Sequence, residues 1–307
     1  MAKATRVAYG EELAKLVREN PKIVILDADL AGSTNALVGA KEDPSRFFDM
    51  GIAEANMIGV AAGLAASGYI PFASTFAMFC TGRCWEQVRN SVAYPHLNVK
   101  IVGSHSGITV GEDGVTHQAI EDIAIMRAIT DLEVYVPCDQ YETRAVIRHV
   151  SETNNPCYVR LGRAAVEDVY DENKVFDFSK VNILRSGARI AVFTCGSMVQ
   201  STLEAAEMFR KNDGIDLTVV DVCAIKPCDT DGIARVLEDH ERIFTVEEHS
   251  VTGGLGSLIA EVSTSTVPRR IDRIGMYGFG ESGDFKTLLD AYQLDGKGVY
   301  EQIKSRL

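Results

Sequence analysis

The sequence predicts an α/β protein of two domains, each a mostly parallel sheet flanked by helices. Short β-branched runs alternate with helix-like segments along the chain, and that alternation implies parallel strands covered by helices. A charged, irregular stretch from 166 to 187 offers little core and interrupts the alternation, which then starts again. A length of 307 residues allows one domain and favours two. The expected boundaries are 1–170 for the first domain, 171–187 for a linker and 188–307 for the second domain.

In the first domain, strands are expected at 23–26, 99–102, 133–136 and 157–160, where β-branched residues cluster between polar flanks. Helices are expected at 9–19, 54–67, 82–93, 121–130 and 139–154, the last opened by a capping box of Asp139 with Glu142. Between 55 and 82 there is no charged residue. That length would suit a membrane span, but Gly68 and Pro71 break it and Ser67, Ser74 and Thr75 interrupt its apolar character. It reads instead as a buried helix, a strand and a site loop, and so apolar a helix suits a subunit interface. In the second domain, strands are expected at 190–194, 217–222, 242–246 and 270–274, with Ser197 and Gln200 as a capping box for a helix running to about Lys211. The run Gly253-Gly254-Leu255-Gly256 lacks the full G-x-G-x-x-G spacing and reads as a tight turn into a helix. Glu247 and Glu248, before His249, read as a strand-end surface or interface feature.

Composition narrows the function. The chain is 46% hydrophobic and 24% charged, as in ordinary globular proteins. A net charge of −12 argues against a general nucleic-acid or anionic-membrane surface, while leaving room for a local cationic pocket. Met1 to Arg6 lack the apolar core of a signal peptide. The seven cysteines are odd in number, show no C-x-x-C spacing and sit mostly in apolar stretches, which points to reduced, buried thiols in the cytoplasm. Cys80 and Cys84 could meet on a helix, but no matching pair completes a zinc site, so no metal is expected on this chain's own residues.

Two segments carry candidate chemistry. The run from Gly107 to Gln118 sets glycines, the adjacent acids Glu112 and Asp113 and the histidine His117 after an apolar strand, where α/β proteins place their sites. Glu54 stands at the head of the apolar helix. A buried carboxylate there needs a partner, although an acid in the first turn is also favoured simply by the helix dipole.

With the segment between them, these stretches resemble the pyrimidine-binding half of transketolases. The family's I-x-E, S-T-F-x-x-F and G-E-D-G-P-T-H-Q patterns read here as Ile52-Ala53-Glu54, Ser74-Thr75-Phe76-Ala77-Met78-Phe79 and Gly111-Glu112-Asp113-Gly114-Val115-Thr116-His117-Gln118. The resemblance extends to Ala4-Thr5-Arg6, Ala28-Asp29-Leu30 and Leu161-Gly162-Arg163, and so over essentially the whole chain. It implies a thiamine diphosphate enzyme transferring a two-carbon ketol unit from a ketose phosphate to an aldose phosphate. Glu54 would be the catalytic carboxylate bonded to N1′ of the cofactor's aminopyrimidine, with Phe76 and Phe79 flanking that ring and Asp29 near the cofactor. His105 and His117 would line the substrate channel and move protons, Asp113 would accept from a substrate hydroxyl, and Arg6, Ser33 and Arg163 would hold the phosphate. A sulfonated or otherwise anionic sugar would suit the same groups. Taken singly, the phenylalanines could be core, the histidines structural and the arginines surface ion pairs.

Departures from the family pattern matter too. Val115 replaces a common proline, and Gly82 stands where the family often has a further aromatic, leaving Arg83, Trp85 or Gln87 to fill that region. No G-D-G motif occurs to hold the diphosphate and Mg²⁺. The resemblance is therefore to the C-terminal subunit of a split transketolase, completed by a separate N-terminal subunit that binds diphosphate and metal, in an α2β2 assembly. Deoxyxylulose-phosphate synthase, the β subunit of a 2-oxoacid dehydrogenase E1 component and a non-catalytic paralogue are the alternatives.

Overall fold

The computed structural model describes residues 2–307, arranged around two parallel-rich sheets. The larger has seven strands in the spatial order Ala224–Lys226, Glu133–Tyr135, Cys157–Arg160, Lys100–Ser104, Ile70–Phe76, Ile23–Asp27 and Phe47–Asp49. All neighbours are parallel except Ala224–Lys226, which joins Glu133–Tyr135 antiparallel. The smaller has five strands in the order Ile271–Met276, Arg242–Ser250, Ile190–Thr194, Leu217–Asp221 and Asn182–Arg185, the last antiparallel. A short antiparallel pair, Lys3–Ala4 with Ala165–Val166, ties the chain's start to the exit of the first sheet.

The central strands are buried at every position, which is why they read as continuous apolar runs rather than alternating ones. Successive side chains then feed opposite faces. Ile23 and Ile25 pack with Tyr9, Leu13 and Val146 of the helices Thr5–Glu19 and Gln140–Glu152. Val24 and Leu26 pack with Met57, Ile58 and Ala61 of the helix Glu54–Ala66. That second cluster continues without a break into Phe193, Val220, Leu255 and Ile259 of the other sheet's layer, so the two units share apolar core.

Several local expectations need correction. The helix expected at 82–93 is a short α-turn, Trp85–Gln87, between two wide π-type turns, Phe79–Arg83 and Val88–Ala93. The strand Asn182–Arg185 lies within the stretch read as linker. At Asp139 the side chain accepts the Glu142 N–H at 2.8 Å as a cap should, but the Glu142 carboxylate reaches the N–H of Cys138 at 2.9 Å rather than that of Asp139. Ser197 makes no cap at all. The helix Leu255–Ser265 is instead capped from a distance, its Leu255 and Gly256 N–H groups donating to the Glu247 carboxylate at 2.7 and 2.8 Å. Glu247, Glu248 and His249 are all buried, so they form no exposed strand end. Among the described residues no helix is long and apolar enough to cross a membrane.

Candidate active site

Parallel strands deliver their following loops to one edge of a sheet, and this chain uses that edge. Asp29 follows Ile23–Asp27, Phe79 follows Ile70–Phe76 (whose last residue is Phe76), His105 follows Lys100–Ser104 and Arg163 follows Cys157–Arg160. These four strands are neighbours in the sheet, so residues scattered through the sequence converge.

The centre is an aromatic wall. Phe76 and Phe79 lie nearly parallel, with centroids 6.0 Å apart. The His105 ring stacks on Phe76 at 3.9 Å, and His117 meets Phe79 edge-on at 5.2 Å. His105 takes a left-handed backbone conformation, φ 58°, unusual for a residue with a side chain. Its Nδ1 lies 2.9 Å from the Ser104 hydroxyl. Burial first, then the positive charges of Arg6 and Arg163, push its pKa down to about 3, so the imidazole is neutral at physiological pH. His117 is half-buried, its Nδ1 2.9 Å from the Thr116 hydroxyl.

Glu54 opens the helix Glu54–Ala66 and is only 2% exposed. Its counter-charge is Arg83, whose Nη1 donates to Oε2 at 2.7 Å while the guanidinium lies 4.8 Å from the centroid of Phe79. Of Arg83, Trp85 and Gln87, Arg83 is the one that lies over the Phe79 ring. Trp85 turns away to bond the Ile125 carbonyl at 2.9 Å, and Gln87 pairs with Glu86. The wide turn Phe79–Arg83 brings Arg83 back over Phe79, a placement that regular helical spacing from 82 onward does not foresee.

Arg6, Ser33 and Arg163 also meet. Arg6 donates to the Ser33 carbonyl at 2.7 Å and to the Arg163 carbonyl at 3.4 Å, and its pKa is lowered by burial and by the neighbouring Arg163 charge. The Arg163 guanidinium bonds the Val110 carbonyl and pairs with Glu112 at 2.7 Å. Asp29 is exposed, with its N–H donating to Asp49 at 3.1 Å, and Asp113 lies exposed on the Gly-rich loop. Two residues before Asp29 stands Asp27, whose only mark in the sequence is a charge at the end of an apolar strand. It is fully buried, accepts the Leu30 N–H at 2.6 Å and the Thr34 hydroxyl at 2.9 Å, and burial raises its pKa to about 7.

The Gly-rich loop makes two short 3₁₀ turns within Ile108–Asp113, separated by a kink at Gly111 and flanked by positive-φ glycines at Gly107 and Gly114. The second unit grips it. Gln118 donates to the Glu281 carbonyl at 2.9 Å, Ser282 to the Glu112 carbonyl at 2.5 Å, and the Thr109 N–H to the Glu248 carboxylate at 2.5 Å. Glu248, read from the sequence as a strand-end surface or interface acid, lies buried between the two units, and its contact with the loop is not disclosed by the sequence.

A buried carboxylate bearing a flat cationic donor, next to parallel aromatic rings, is a seat for a planar heterocycle with its own donor group. An aminopyrimidine has that chemistry, so the residues present fit the pyrimidine end of thiamine diphosphate. Fold and site together define a two-domain α/β protein whose first domain gathers a buried carboxylate, an arginine and aromatic rings at the carboxyl edge of its sheet.

The chain belongs to the transketolase family, which depends on thiamine diphosphate. Residues 1–168 match the transketolase pyrimidine-binding domain and residues 179–299 the transketolase C-terminal domain. It is 46% identical to a putative transketolase C-terminal section of Methanocaldococcus jannaschii, over 99% of this chain and 96% of that protein. It is 39% identical to the 6-deoxy-6-sulfo-D-fructose transketolase subunit SqwH of Clostridium sp. (strain MSTE9), over 96% and 91%. A solved split-gene transketolase, described as an inactive β4 tetramer, superposes with a TM-score of 0.90 at 42% identity, covering 99% of this chain and 98% of that one.

Proposed function

We propose that this chain is the C-terminal subunit of a split transketolase that moves a two-carbon ketol unit from a ketose phosphate to an aldose phosphate. The observation that carries this is Glu54, buried at the sheet edge with a flat cation on its carboxylate and the Phe76–Phe79 wall beside it. Glu54 would hold N1′ of the aminopyrimidine by a charge-assisted bond, and Phe76 and Phe79 would orient the ring, with Asp29 close by. Bound there, thiamine diphosphate supplies a nucleophilic carbon that carries the two-carbon unit. His105, neutral, would hydrogen-bond the substrate, and His117, nearer to solvent, is the better placed of the two to exchange protons with it. Asp113 would accept from a hydroxyl, and Arg6 and Arg163 with Ser33 would bind the terminal phosphate.

The diphosphate and Mg²⁺ would be held by an N-terminal partner subunit, in an α2β2 assembly in the cytoplasm. The relatedness to a C-terminal section and to a split-gene transketolase supports a divided enzyme. The SqwH relative, named for a sulfonated ketose, favours a second substrate class, because two guanidinium groups receive sulfonate as they do phosphate.

The test is reconstitution with the N-terminal subunit, thiamine diphosphate and Mg²⁺, followed by ketol transfer from xylulose 5-phosphate or 6-deoxy-6-sulfofructose to an aldose phosphate. Activity should need both chains, and Glu54→Gln should lower kcat by about 100-fold or more in a folded complex. A cofactor-loaded complex that decarboxylates pyruvate and transfers no ketol unit would overturn the assignment.

A further inference from the structure

Two local rules fail at the same point of this molecule. Ser197 is placed to cap a helix and does not, and Glu248 is an acid in a buried strand. They have found each other. The Ser197 hydroxyl donates to Glu248 Oε2 at 2.7 Å, and the other oxygen, Oε1, takes the Thr109 N–H at 2.5 Å. Glu248 belongs to the second unit's strand Arg242–Ser250, and Thr109 to the first unit's Gly-rich loop.

The fit is close as well as polar. A Cβ added to Gly107 would stand 2.3 Å from the Glu248 carboxyl, so only glycine lets the loop approach. The main chain of Glu248 is engaged too. Its carbonyl accepts Arg160 Nη2 at 2.9 Å, and the same Arg160 nitrogen bonds the Ala119 carbonyl at 3.1 Å while Nε pairs with Asp122 at 2.8 Å. Both ends of the loop are thus fastened to one residue, the start by its carboxylate and the end through Arg160. His105 stands just before the first fastening and His117 just before the second. Glycine-rich backbone has much conformational freedom to lose, and 3₁₀ turns hold it weakly, so the loop's order depends on such external bonds.

We propose that Glu248 is a positioning residue: it fixes the Gly-rich loop from the second domain and through it sets the relative placement of His105 and His117. The second domain then acts on the site through this carboxylate, beside its main-chain and Ser282 contacts with the later part of the loop. The anchoring stands by itself; its consequence for catalysis rests on the transketolase function proposed above.

Amide hydrogen exchange on the full chain reads the anchoring without any activity. In Glu248→Gln the charge is lost but an acceptor oxygen remains, whereas in Glu248→Ala both bonds go. Peptides covering 105–118 should lose protection in the order wild type, Gln, Ala, with the Ala variant roughly tenfold or more less protected, as for one lost charge-assisted hydrogen bond. The helices Gln140–Glu152 and Thr230–Asp239 should stay as protected as in the wild type. In the complex with the N-terminal subunit, kcat/KM for the sugar should fall in the same order, with cofactor affinity unchanged. Unaltered loop protection in the Gln variant, or loss spread evenly over the chain, would overturn the proposal, and the Gln variant decides if the Ala variant does not fold. Graded exchange in a complex without ketol transfer would leave the anchor standing and remove only the transketolase function.

Discussion

Arg83 and Glu54 form an unequal pair: the carboxylate is 2% exposed and the guanidinium side chain 52% exposed. Most of the desolvation falls on Glu54, which would be left as an uncompensated buried charge if Arg83 were removed. Solvent screening at the Arg83 end limits the effect to about 1 kcal/mol. Arg83→Ala should therefore lower the melting temperature of the chain by about 1–3 °C at neutral pH. In a Glu54→Gln background the same substitution should change it little, because a neutral amide needs no counter-charge. Thermal melts of the four proteins make a double-mutant cycle. An equal loss in both backgrounds would mean that Arg83 stabilises through packing on Phe79 and not through Glu54. The same cycle bears on the cofactor: an incoming ring that bonds Glu54 must share the carboxylate with Arg83 or displace it, so cofactor affinity of the complex should respond to Arg83→Ala far more than to a change at Trp85, which faces Ile125.

At the scale of elements, the Gly-rich loop separates two uses of glycine. Gly107 and Gly111 both have left-handed φ, 70° and 86°, but their surroundings differ. An added Cβ at Gly111 meets only Arg163 Nη1 at 3.2 Å and the Gly283 carbonyl at 3.4 Å, while at Gly107 it meets the buried Glu248 carboxyl at 2.3 Å. Gly111→Ala should cost about 1–3 kcal/mol for the backbone conformation alone. Gly107→Ala should cost distinctly more, since it also drives Glu248 from its partners, and urea denaturation would rank them. Equal values would show that the Glu248 contact yields without penalty. Elements with one dominant physical cause were the legible ones: Cys157–Arg160, up to its terminal arginine, and Ile190–Thr194 carry unbroken rather than alternating apolar residues because both their faces are buried. Ala224–Lys226 was not, because three residues leave no periodicity and their partner strand belongs to the other unit's sheet. The motifs around Glu54, Phe76 and the Gly-rich loop could be picked out because each is continuous in sequence. The sequence offered Arg83 only as one of three candidates and Glu248 only as a strand-end surface or interface acid, because what they do is defined by contacts 29 and 139 residues away along the chain.

For the whole molecule, the junction between the units holds an acid pair whose charge state the fold must manage. Glu142 comes from the helix Gln140–Glu152, and Asp221 ends the strand Leu217–Asp221 of the other unit. One oxygen of each is satisfied, Glu142 Oε2 by the Cys138 N–H at 2.9 Å and Asp221 Oδ2 by the Tyr170 hydroxyl at 2.8 Å. Glu142 Oε1 and Asp221 Oδ1 are buried with no backbone or amide donor, in a cluster with the Cys138 thiol whose ligand atoms lie within 4.8 Å of one another. Burial raises the pKa of both carboxyls, and the neighbouring Asp221 charge raises that of Glu142 further, so a proton held by Glu142 and donated to Asp221 is the state that satisfies both. Because the folded values lie above the ordinary carboxylate range, the fold binds protons that the unfolded chain releases. The resulting stability is complete at low pH and is lost as pH rises through the raised values. Glu142→Gln puts a permanent N–H donor where that proton sits and keeps an acceptor for Cys138. The wild-type melting temperature should fall relative to Glu142→Gln as pH rises above the ordinary carboxylate range and through the Asp221 value of about 6, with the variant equal or higher at the alkaline end. Asp27 and Glu247, each raised to about 7 by burial, titrate over the same range, but they are common to both proteins and cancel in the difference. Parallel pH profiles for the two proteins would show that the pair shares no proton and contributes nothing to the pH dependence of the domain junction.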